Sequence, residues 1–129
     1  MKVILFTTLL LFSINGFAFN WKRVSDSVTG TSFYVDGDNI KKHNGFVYYW
    51  MLTDYSKPTK GTSGDANSSI IKFKVDCGEE KQIFLSGTYY SQPMGKGRIN
   101  NDITPNEIQY PKPNSVGYDL MRFVCNNAK

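Results

Sequence analysis

The chain has 129 residues, 15 of them basic and 11 acidic, and a formal net charge of +4. A length in this range predicts one domain with a modest hydrophobic core. The basic excess is too small for nucleic-acid binding, which requires a dense, one-sided basic patch, so nucleic acid is excluded as a partner.

Residues 1–18 have the pattern of a secretory signal peptide. Lys2 gives a positive start, and residues 3–14 are apolar apart from two threonines and a serine. Gly16 and Ala18 are the small residues expected before a cut after Ala18. The apolar run is well short of the roughly 20 residues that cross a bilayer, which argues against an uncleaved membrane anchor.

Cleavage at this position would leave residues 19–129 as a single mature domain without a transmembrane segment. Removing Lys2 from the 15 basic residues leaves 14 against 11 acidic ones, a net charge of +3. No cysteine precedes Cys77, so the sequence offers no cysteine for a lipid at the cleavage site. We therefore expect a protein of the periplasm, the medium or the cell surface.

Strand patterning begins early in the mature chain. A weak strand at 21–24 precedes a clearer one at 31–36, which Asp36-Gly37-Asp38-Asn39 ends. Ile40–His43 is predicted to form one helical turn, closed by Asn44-Gly45.

The segment 46–55 is the most apolar part of the mature chain. Its two faces both carry large apolar or aromatic side chains: Phe46, Tyr48, Trp50 and Leu52 on one, and Val47, Tyr49, Met51 and Tyr55 on the other. A strand that is apolar on both faces is typical of the centre of a sheet. The polar stretch 56–67, rich in Gly, Ser, Thr and Pro, is predicted to be a long flexible loop.

Residues 68–77 show the clearest strand alternation in the chain. The apolar side chains recur at every second position and end with Cys77, which is therefore expected on the core side. Gly78-Glu79-Glu80 then forms a turn, and 81–91 returns as a second long strand, which makes an antiparallel hairpin. A loop at Gly95-Lys96-Gly97-Arg98 follows.

The C-terminal region has the pattern of a helix. Pro111 and Pro113 end any strand, and the Ser115 hydroxyl is well placed to cap the first-turn amides of a helix that ends near Cys125. One helical face is apolar, at Val116, Leu120, Phe123 and Val124. Strands followed by one helix predict an α+β fold, with the helix packed on an antiparallel sheet.

Cys77 and Cys125 are the two cysteines of the chain. An oxidising compartment favours their pairing, and closing the loop between them is worth about 4 kcal/mol in the chain-entropy model. The alternative is a reactive or metal-binding thiol pair, but neither a nearby histidine nor a CxxC spacing supports it. We predict one disulfide, Cys77–Cys125.

Residue patterns typical of catalysis are missing, and we predict no enzyme, no cofactor and no metal. Asp36-Gly37-Asp38-Asn39 resembles the opening of a calcium loop, but Val47 stands where the closing glutamate is needed, so a polar turn is the simpler interpretation. His43, the single histidine, lies in a polar segment with no candidate nucleophile beside it. Glu79 and Glu80 lie at a turn, where solvation is a simpler interpretation than a glycosidase pair.

Aromatic residues make up 15% of the chain, more than a core of this size can hold. Tyr and Trp suit protein interfaces because they bury a large area with little loss of rotamer freedom, although they are also favoured in strands. We name Tyr89 and Tyr90, with Lys96 and Arg98 of the basic loop, as candidate binding residues. A solvated turn is the simpler interpretation of this loop, and a contact with an anionic glycan or an acidic protein is the alternative for which Lys96 and Arg98 are named.

Several short segments occur in an order and spacing typical of one family. They are Trp21, Phe33-Tyr34-Val35-Asp36 with Ile40, 47–55, 72–77, 90–97, 110–115 and Val124-Cys125. Over nearly all the mature chain the sequence thereby resembles the surface-adhesin protein E family of small bacterial envelope proteins. The resemblance implies an antiparallel sheet with a C-terminal helix and a disulfide. It also implies a non-enzymatic envelope protein, with adhesion to host or matrix proteins as the role of the family's namesake.

We hold two functional hypotheses. The first is an adhesin-like module that binds another protein or an extracellular-matrix component. The second is a periplasmic carrier that shelters an apolar or anionic small molecule between sheet and helix. An exposed aromatic patch would favour the binding module, and a closed, ligand-sized pocket would favour the carrier.

Overall fold

The computed structural model describes residues 18–60 and 64–129. Its elements in chain order are β1 (Trp21–Asp26), β2 (Ser32–Asp36), β3 (Lys41–His43), β4 (Phe46–Thr59), β5 (Ala66–Asp76), β6 (Lys81–Gln92), β7 (Lys96–Ile103), β8 (Glu107–Gln109) and α1 (Val116–Asn127). A short 3-10 turn, Pro93–Gly95, joins β6 to β7. The predicted signal peptide lies outside the described residues except for Ala18.

The described strands form one antiparallel sheet in the order β1-β2-β4-β5-β6-β7. Two short strands extend it, β3 beside β4 and β8 beside β6. The predicted antiparallel sheet followed by a C-terminal helix is confirmed. The predicted central position of the apolar strand is also confirmed, since β4 lies between β2 and β5.

One face of the sheet, here called the core face, carries the hydrophobic core. Side chains alternate along each strand, so every second residue of β4 and β5 points to this face. The buried apolar cluster joins strand residues and helix residues, among them Val35, Tyr49, Met51, Ile71, Phe73, Val75, Leu120, Met121 and Val124. The buried stripe of α1 thus shares one cluster with the strands.

The start of α1 is capped as predicted, because the Ser115 hydroxyl accepts a hydrogen bond from the Tyr118 amide at 3.2 Å. The predicted apolar stripe was right for Leu120 and Val124 but omitted Met121, which is buried. Phe123 is only partly buried. The helix therefore faces the core slightly to one side of the predicted direction.

The predicted disulfide is confirmed. Cys77 follows directly after β5, and its sulfur is bonded to that of Cys125 in the last turns of α1 at 2.03 Å. The chain end is held as well: the Lys42 amide donates to the Lys129 carbonyl at 2.9 Å, and the Lys129 amide donates to the Ile40 carbonyl at 3.2 Å.

The predicted helical turn at Ile40–His43 is wrong. Ile40 precedes β3, and the next three residues form this strand. It pairs with β4 from Lys41↔Tyr48 to His43↔Phe46. Asn44 and Gly45 both have positive φ, 52° and 83°. That is the signature of a two-residue hairpin turn, and the hairpin gives the backbone groups of this polar segment their partners.

Two predicted loops are wrong over much of their length. β4 and β5 stay paired out to Thr59↔Ala66, so strand occupies both ends of the stretch 56–67. Lys96 begins β7, which pairs with β6, and so the predicted loop at Gly95–Arg98 is mostly strand. Exposed strands at hairpin ends and sheet edges need no apolar alternation. Their sequences therefore lack the pattern that predicts a strand.

The opposite face of the sheet, here called the second face, is partly covered by the turn Pro93–Gly95. The Met94 amide donates to Asp54 Oδ1 at 3.1 Å, and the Gly95 amide donates to Ser68 Oγ at 2.8 Å. A Cβ at Gly95 would lie 2.9 Å from Ile70 Cδ1, and Gly95 has φ of 70°, so the close approach requires glycine. Leu52 and Ile70 are consequently buried although they lie on the second face.

Candidate binding surface

Beyond the turn, the second face carries a row of aromatic rings on β4 beside two lysines on β5. We call these five residues the aromatic–lysine surface: Phe46, Tyr48, Trp50, Lys72 and Lys74. The strand register places Trp50 opposite Lys72 and Tyr48 opposite Lys74. All five are partly buried. The alternation that directs the neighbouring residues of β4 and β5 into the core brings these five together here.

The lysine head groups lie over the rings. Lys72 Nζ is 5.3 Å from the centroid of the Trp50 ring and 5.9 Å from that of Tyr48. Lys74 Nζ is 4.2 Å from the centroid of Phe46. These distances are those of cation–π contacts, which orient the ammonium groups without neutralising their charge.

A concavity of about 320 Å³ borders this surface. It is lined by Tyr48, Trp50 and Lys72, together with three residues from the β3 side, Asn39, Lys41 and His43. The His43 ring centroid lies 6.4 Å from that of Tyr48. β3, which was predicted to be part of a helical turn, therefore supplies one wall of this concavity.

The N-terminal segment of the described chain continues the row of rings. Phe19 stacks on Trp21 with centroids 4.4 Å apart, and its ring meets Trp50 edge-on at 6.1 Å. Aromatic side chains thus extend from β4 toward the β1 edge of the sheet.

The lysines of this surface have no acidic partner among the residues that the structure describes. The ion pairs in that part of the chain are Arg23–Asp26 and Lys60–Asp65. Lys72, Lys74 and the exposed Lys41 therefore offer their positive charge to whatever approaches the surface.

The four binding residues named from sequence lie elsewhere, around the β6–β7 hairpin. Tyr89 pairs with Asn101 and Tyr90 with Ile99. As neighbours in one strand, the two tyrosines point to opposite faces of the sheet, so they do not form a single cluster. Lys96 and Arg98 are exposed on β7.

Both tyrosines lie in surroundings that disfavour ionisation of the phenol. Burial raises the pKa of Tyr89, and the nearby Tyr55 raises it further. Burial also raises the pKa of Tyr90, to which Asp102 adds. A binding role for Tyr89, Tyr90, Lys96 and Arg98 stays a prediction.

The polar turn at Asp36 uses its carboxylate internally. Asp36 is fully buried and accepts hydrogen bonds from the Asn20 amide at 3.1 Å, the Asp38 amide at 3.3 Å and Asn39 Nδ2 at 2.7 Å. These donors join the start of β1 to the end of β2. The side chain thereby acts as a structural link between two strands.

Lys72 and Lys74 are not among the binding residues predicted from the sequence. The signal was present, because both lysines alternate with the buried residues of β5 while the aromatic residues alternate in the same way along β4. What the sequence does not contain is the register that places the two rows side by side on β4 and β5.

The architecture is that of a small, disulfide-linked α+β domain built on one antiparallel sheet. The family model described as surface-adhesin protein E matches residues 21–126. The chain belongs to this family, which confirms the resemblance found in the sequence.

Solved structures with the same fold come from Haemophilus influenzae protein E. One structure of that protein has a TM-score of 0.62 at 16% identity, over 91% of this chain and 92% of the other. Its crystal form II also has a TM-score of 0.62 at 16% identity, over 83% and 87%. Protein E from non-typeable Haemophilus influenzae has a TM-score of 0.58 at 16% identity, over 91% and 82%.

No curated protein sequence matches this chain. Within residues 18–60 and 64–129, no helix has both the length and the hydrophobicity needed to cross a bilayer.

Proposed function

We propose that this protein is an exported, non-enzymatic binding module whose aromatic–lysine surface contacts an acidic patch on another protein. The observation that carries the proposal is the pair Lys72 and Lys74, held over the rings of Trp50, Tyr48 and Phe46 without an acidic partner among the described residues. The partner class we expect is a protein, including an extracellular-matrix component.

The chemistry of the surface fits such a partner. Aromatic side chains contribute large contact areas at low entropic cost, and they are enriched among the residues that dominate interface energies. Unpaired lysines at the same place favour acidic partners and accelerate the encounter with them. A surface that combines both is suited to protein binding more than to catalysis.

The placement of the helix supports the choice of the second face. Leu120, Met121 and Val124 share a buried cluster with the core-face residues of the strands. We infer that α1 docks on the core face, with the Cys77–Cys125 bond holding it there. The part of the second face that the turn Pro93–Gly95 does not cover is then available to a partner.

Membership of the surface-adhesin protein E family supports export and an adhesin-like role. We propose that residues 19–129 act as a single mature domain in the periplasm, in the medium or at the cell surface. The hairpin residues Lys96, Arg98, Tyr89 and Tyr90 remain the competing location for the contact.

The test measures binding of the mature protein to a panel of purified, immobilised matrix glycoproteins at low and physiological salt. We expect the double variant Lys72→Ala/Lys74→Ala to weaken binding roughly tenfold, about 1.4 kcal/mol. Higher salt should narrow the difference, because screening weakens charge interactions at exposed sites.

The matched control is Lys57→Ala/Lys112→Ala, which removes the same charge from exposed positions away from this surface. It should bind like the unmodified protein. A third variant, Lys96→Ala/Arg98→Ala, tests the hairpin. Loss of binding in that variant alone would indicate that the hairpin makes the contact. Equal binding by all variants would contradict both locations.

A further inference from the structure

The buried stripe of α1 begins with a residue that has no side chain. Positions 117, 120, 121 and 124 have the i, i+3, i+4, i+7 spacing of one helical face. Leu120, Met121 and Val124 on that face are buried. The first position of the stripe is Gly117. The stripe therefore contributes no side chain at its first position.

A cleft of about 320 Å³ lies at this place. The helix contributes Val116, Gly117 and Leu120 to its lining. The strands contribute aromatic and aliphatic side chains and two glutamines: Phe33, Tyr49, Phe73, Phe84, Met51, Ile71, Gln82 and Gln109. A dry apolar cavity of about 150 Å³ is enough to hold benzene, so this cleft has room for a larger molecule.

The helix would tolerate a side chain at position 117. A Cβ there would lie 3.7 Å from Pro111 Cβ, an ordinary contact distance. Glycine at position 117 therefore leaves the cleft open where the helix could carry a side chain.

A short chain of hydrogen bonds lies along the wall of the cleft. The buried Tyr49 hydroxyl donates to Gln82 Oε1 at 3.1 Å, and Gln82 Nε2 donates to Gln109 Oε1 at 3.2 Å. Gln82 and Gln109 both line the cleft. This series of hydrogen bonds ends at Gln109, whose amide nitrogen donates to no acceptor among the described residues. Among the residues that the structure describes, those lining the cleft include no lysine, arginine, aspartate or glutamate.

We propose that this cleft binds a compact, uncharged molecule with an apolar body and one hydrogen-bonding group. The aromatic lining accounts for the apolar body, and the Gln82–Gln109 pair accounts for the polar group. A charged ligand is disfavoured because the cleft would desolvate the charge without providing a partner. This site is separate from the aromatic–lysine surface and does not depend on its function.

The experiment uses 2-naphthol as the probe, an uncharged bicyclic molecule with one hydroxyl group. The mature protein is titrated with it, and binding is followed by calorimetry and by the NMR shifts of the methyl groups of Met51, Ile71 and Leu120. We expect saturable binding with one site per chain. The shifts should be concentrated on those methyl groups.

The decisive variant is Gly117→Leu, in which a side chain at the start of the stripe competes for the cleft. It should weaken probe binding roughly tenfold or more, as steric exclusion from a pocket does. It should also raise the melting temperature, because the side chain fills apolar space. Lys72→Ala/Lys74→Ala is the control and should bind the probe normally.

A second variant, Gln109→Leu, keeps the test informative if Gly117→Leu does not fold. It should reduce the preference for 2-naphthol over naphthalene and retain binding of naphthalene itself. Absence of saturable binding, unchanged binding in folded Gly117→Leu, or shifts confined to the aromatic–lysine surface would each overturn the proposal. None of these results would bear on the protein-binding function.

Discussion

Tyr49 shows how one residue serves the core and carries a polar group into it. Its ring is 1% exposed and stacks on Phe73 with centroids 5.4 Å apart. Its hydroxyl finds a partner in Gln82. Burial raises the pKa of Tyr49 strongly, and the hydrogen bond to Gln82 offsets only part of that effect. The folded protein therefore favours the neutral form of this phenol.

This environment predicts a loss of stability at alkaline pH. In the unfolded chain Tyr49 ionises near its ordinary pKa of 10.0, whereas in the folded protein it keeps its proton. Above pH 10 the unfolded state binds fewer protons, so the free energy of unfolding falls by up to about 1.4 kcal/mol per pH unit for this group. Its contribution is fully present below pH 10 and is lost as the pH rises toward the folded-state pKa.

Tyr49→Phe should flatten this alkaline loss, which urea unfolding measured from pH 8 to 11 would detect. At neutral pH the same variant should be less stable by roughly 1–2 kcal/mol, because Gln82 Oε1 loses its donor. The control is Tyr110→Phe, which removes a hydroxyl from a ring that is 64% exposed. Identical pH profiles for Tyr49→Phe and the unmodified protein would show that burial of this phenol does not govern alkaline stability.

At the scale of elements, α1 is connected to the β5–β6 hairpin at both ends. Near its start, the Tyr118 hydroxyl donates to Glu80 Oε2 at 2.7 Å, and this bond raises the pKa of Tyr118. Near its end, Cys125 is bonded to Cys77. The helix has 12 residues, a length that is marginal in isolation, so its order depends on these links and on its buried stripe.

Cys77→Ser/Cys125→Ser is therefore expected to destabilise the protein by roughly 2–5 kcal/mol, because the unfolded chain regains the freedom of the open loop. Amide hydrogen exchange should increase first in α1, the element that the bond holds. Denaturant unfolding and exchange measured on the same samples would check both effects.

Reduction of the unmodified protein should reproduce the behaviour of the double variant. An unchanged melting temperature on reduction would mean that the bond does not support the fold. Exchange that increases uniformly over the sheet and the helix would contradict the specific link to α1.

At the scale of the whole molecule, the two faces of one sheet are used differently. The core face carries the hydrophobic cluster, whereas the second face is divided between the turn Pro93–Gly95 and the aromatic–lysine surface. Structures of Haemophilus influenzae protein E share the overall fold of this chain at 16% identity. A fold kept at such low identity depends on the pattern of burial more than on particular side chains.

The mature protein is predicted to begin at Phe19, directly after the small residue Ala18. Phe19 would then start the domain with its ring stacked on Trp21. Intact-mass measurement of the protein purified from the cell envelope or the medium should give the mass of residues 19–129. A mass that includes residues 1–18 would contradict the predicted cleavage, and a His43→Ala variant handled in the same way would confirm that the assay resolves small mass differences.

Several features of this protein follow from the sequence alone, because they depend on local periodicity. The run of residues that is apolar on both faces predicts β4. The two-residue alternation predicts β5 and places Cys77 on the core side. The apolar spacing after Ser115 predicts a capped helix ending near Cys125. The disulfide follows from the presence of two cysteines in a chain with an export signal, and the local patterns indicate which elements it joins. The family segments are spread over the same elements and agree with them.

Other features were decided by the tertiary structure, because they depend on pairing between distant residues. β3, β7 and β8 are polar strands that exist because a neighbouring strand supplies their hydrogen-bond partners, which leaves no apolar pattern to recognise. The aromatic–lysine surface requires the register between β4 and β5, and the cleft at Gly117 requires the helix beside the strands. A periodic pattern tells which face of a strand or helix is apolar, but only long-range packing determines which other residues that face meets.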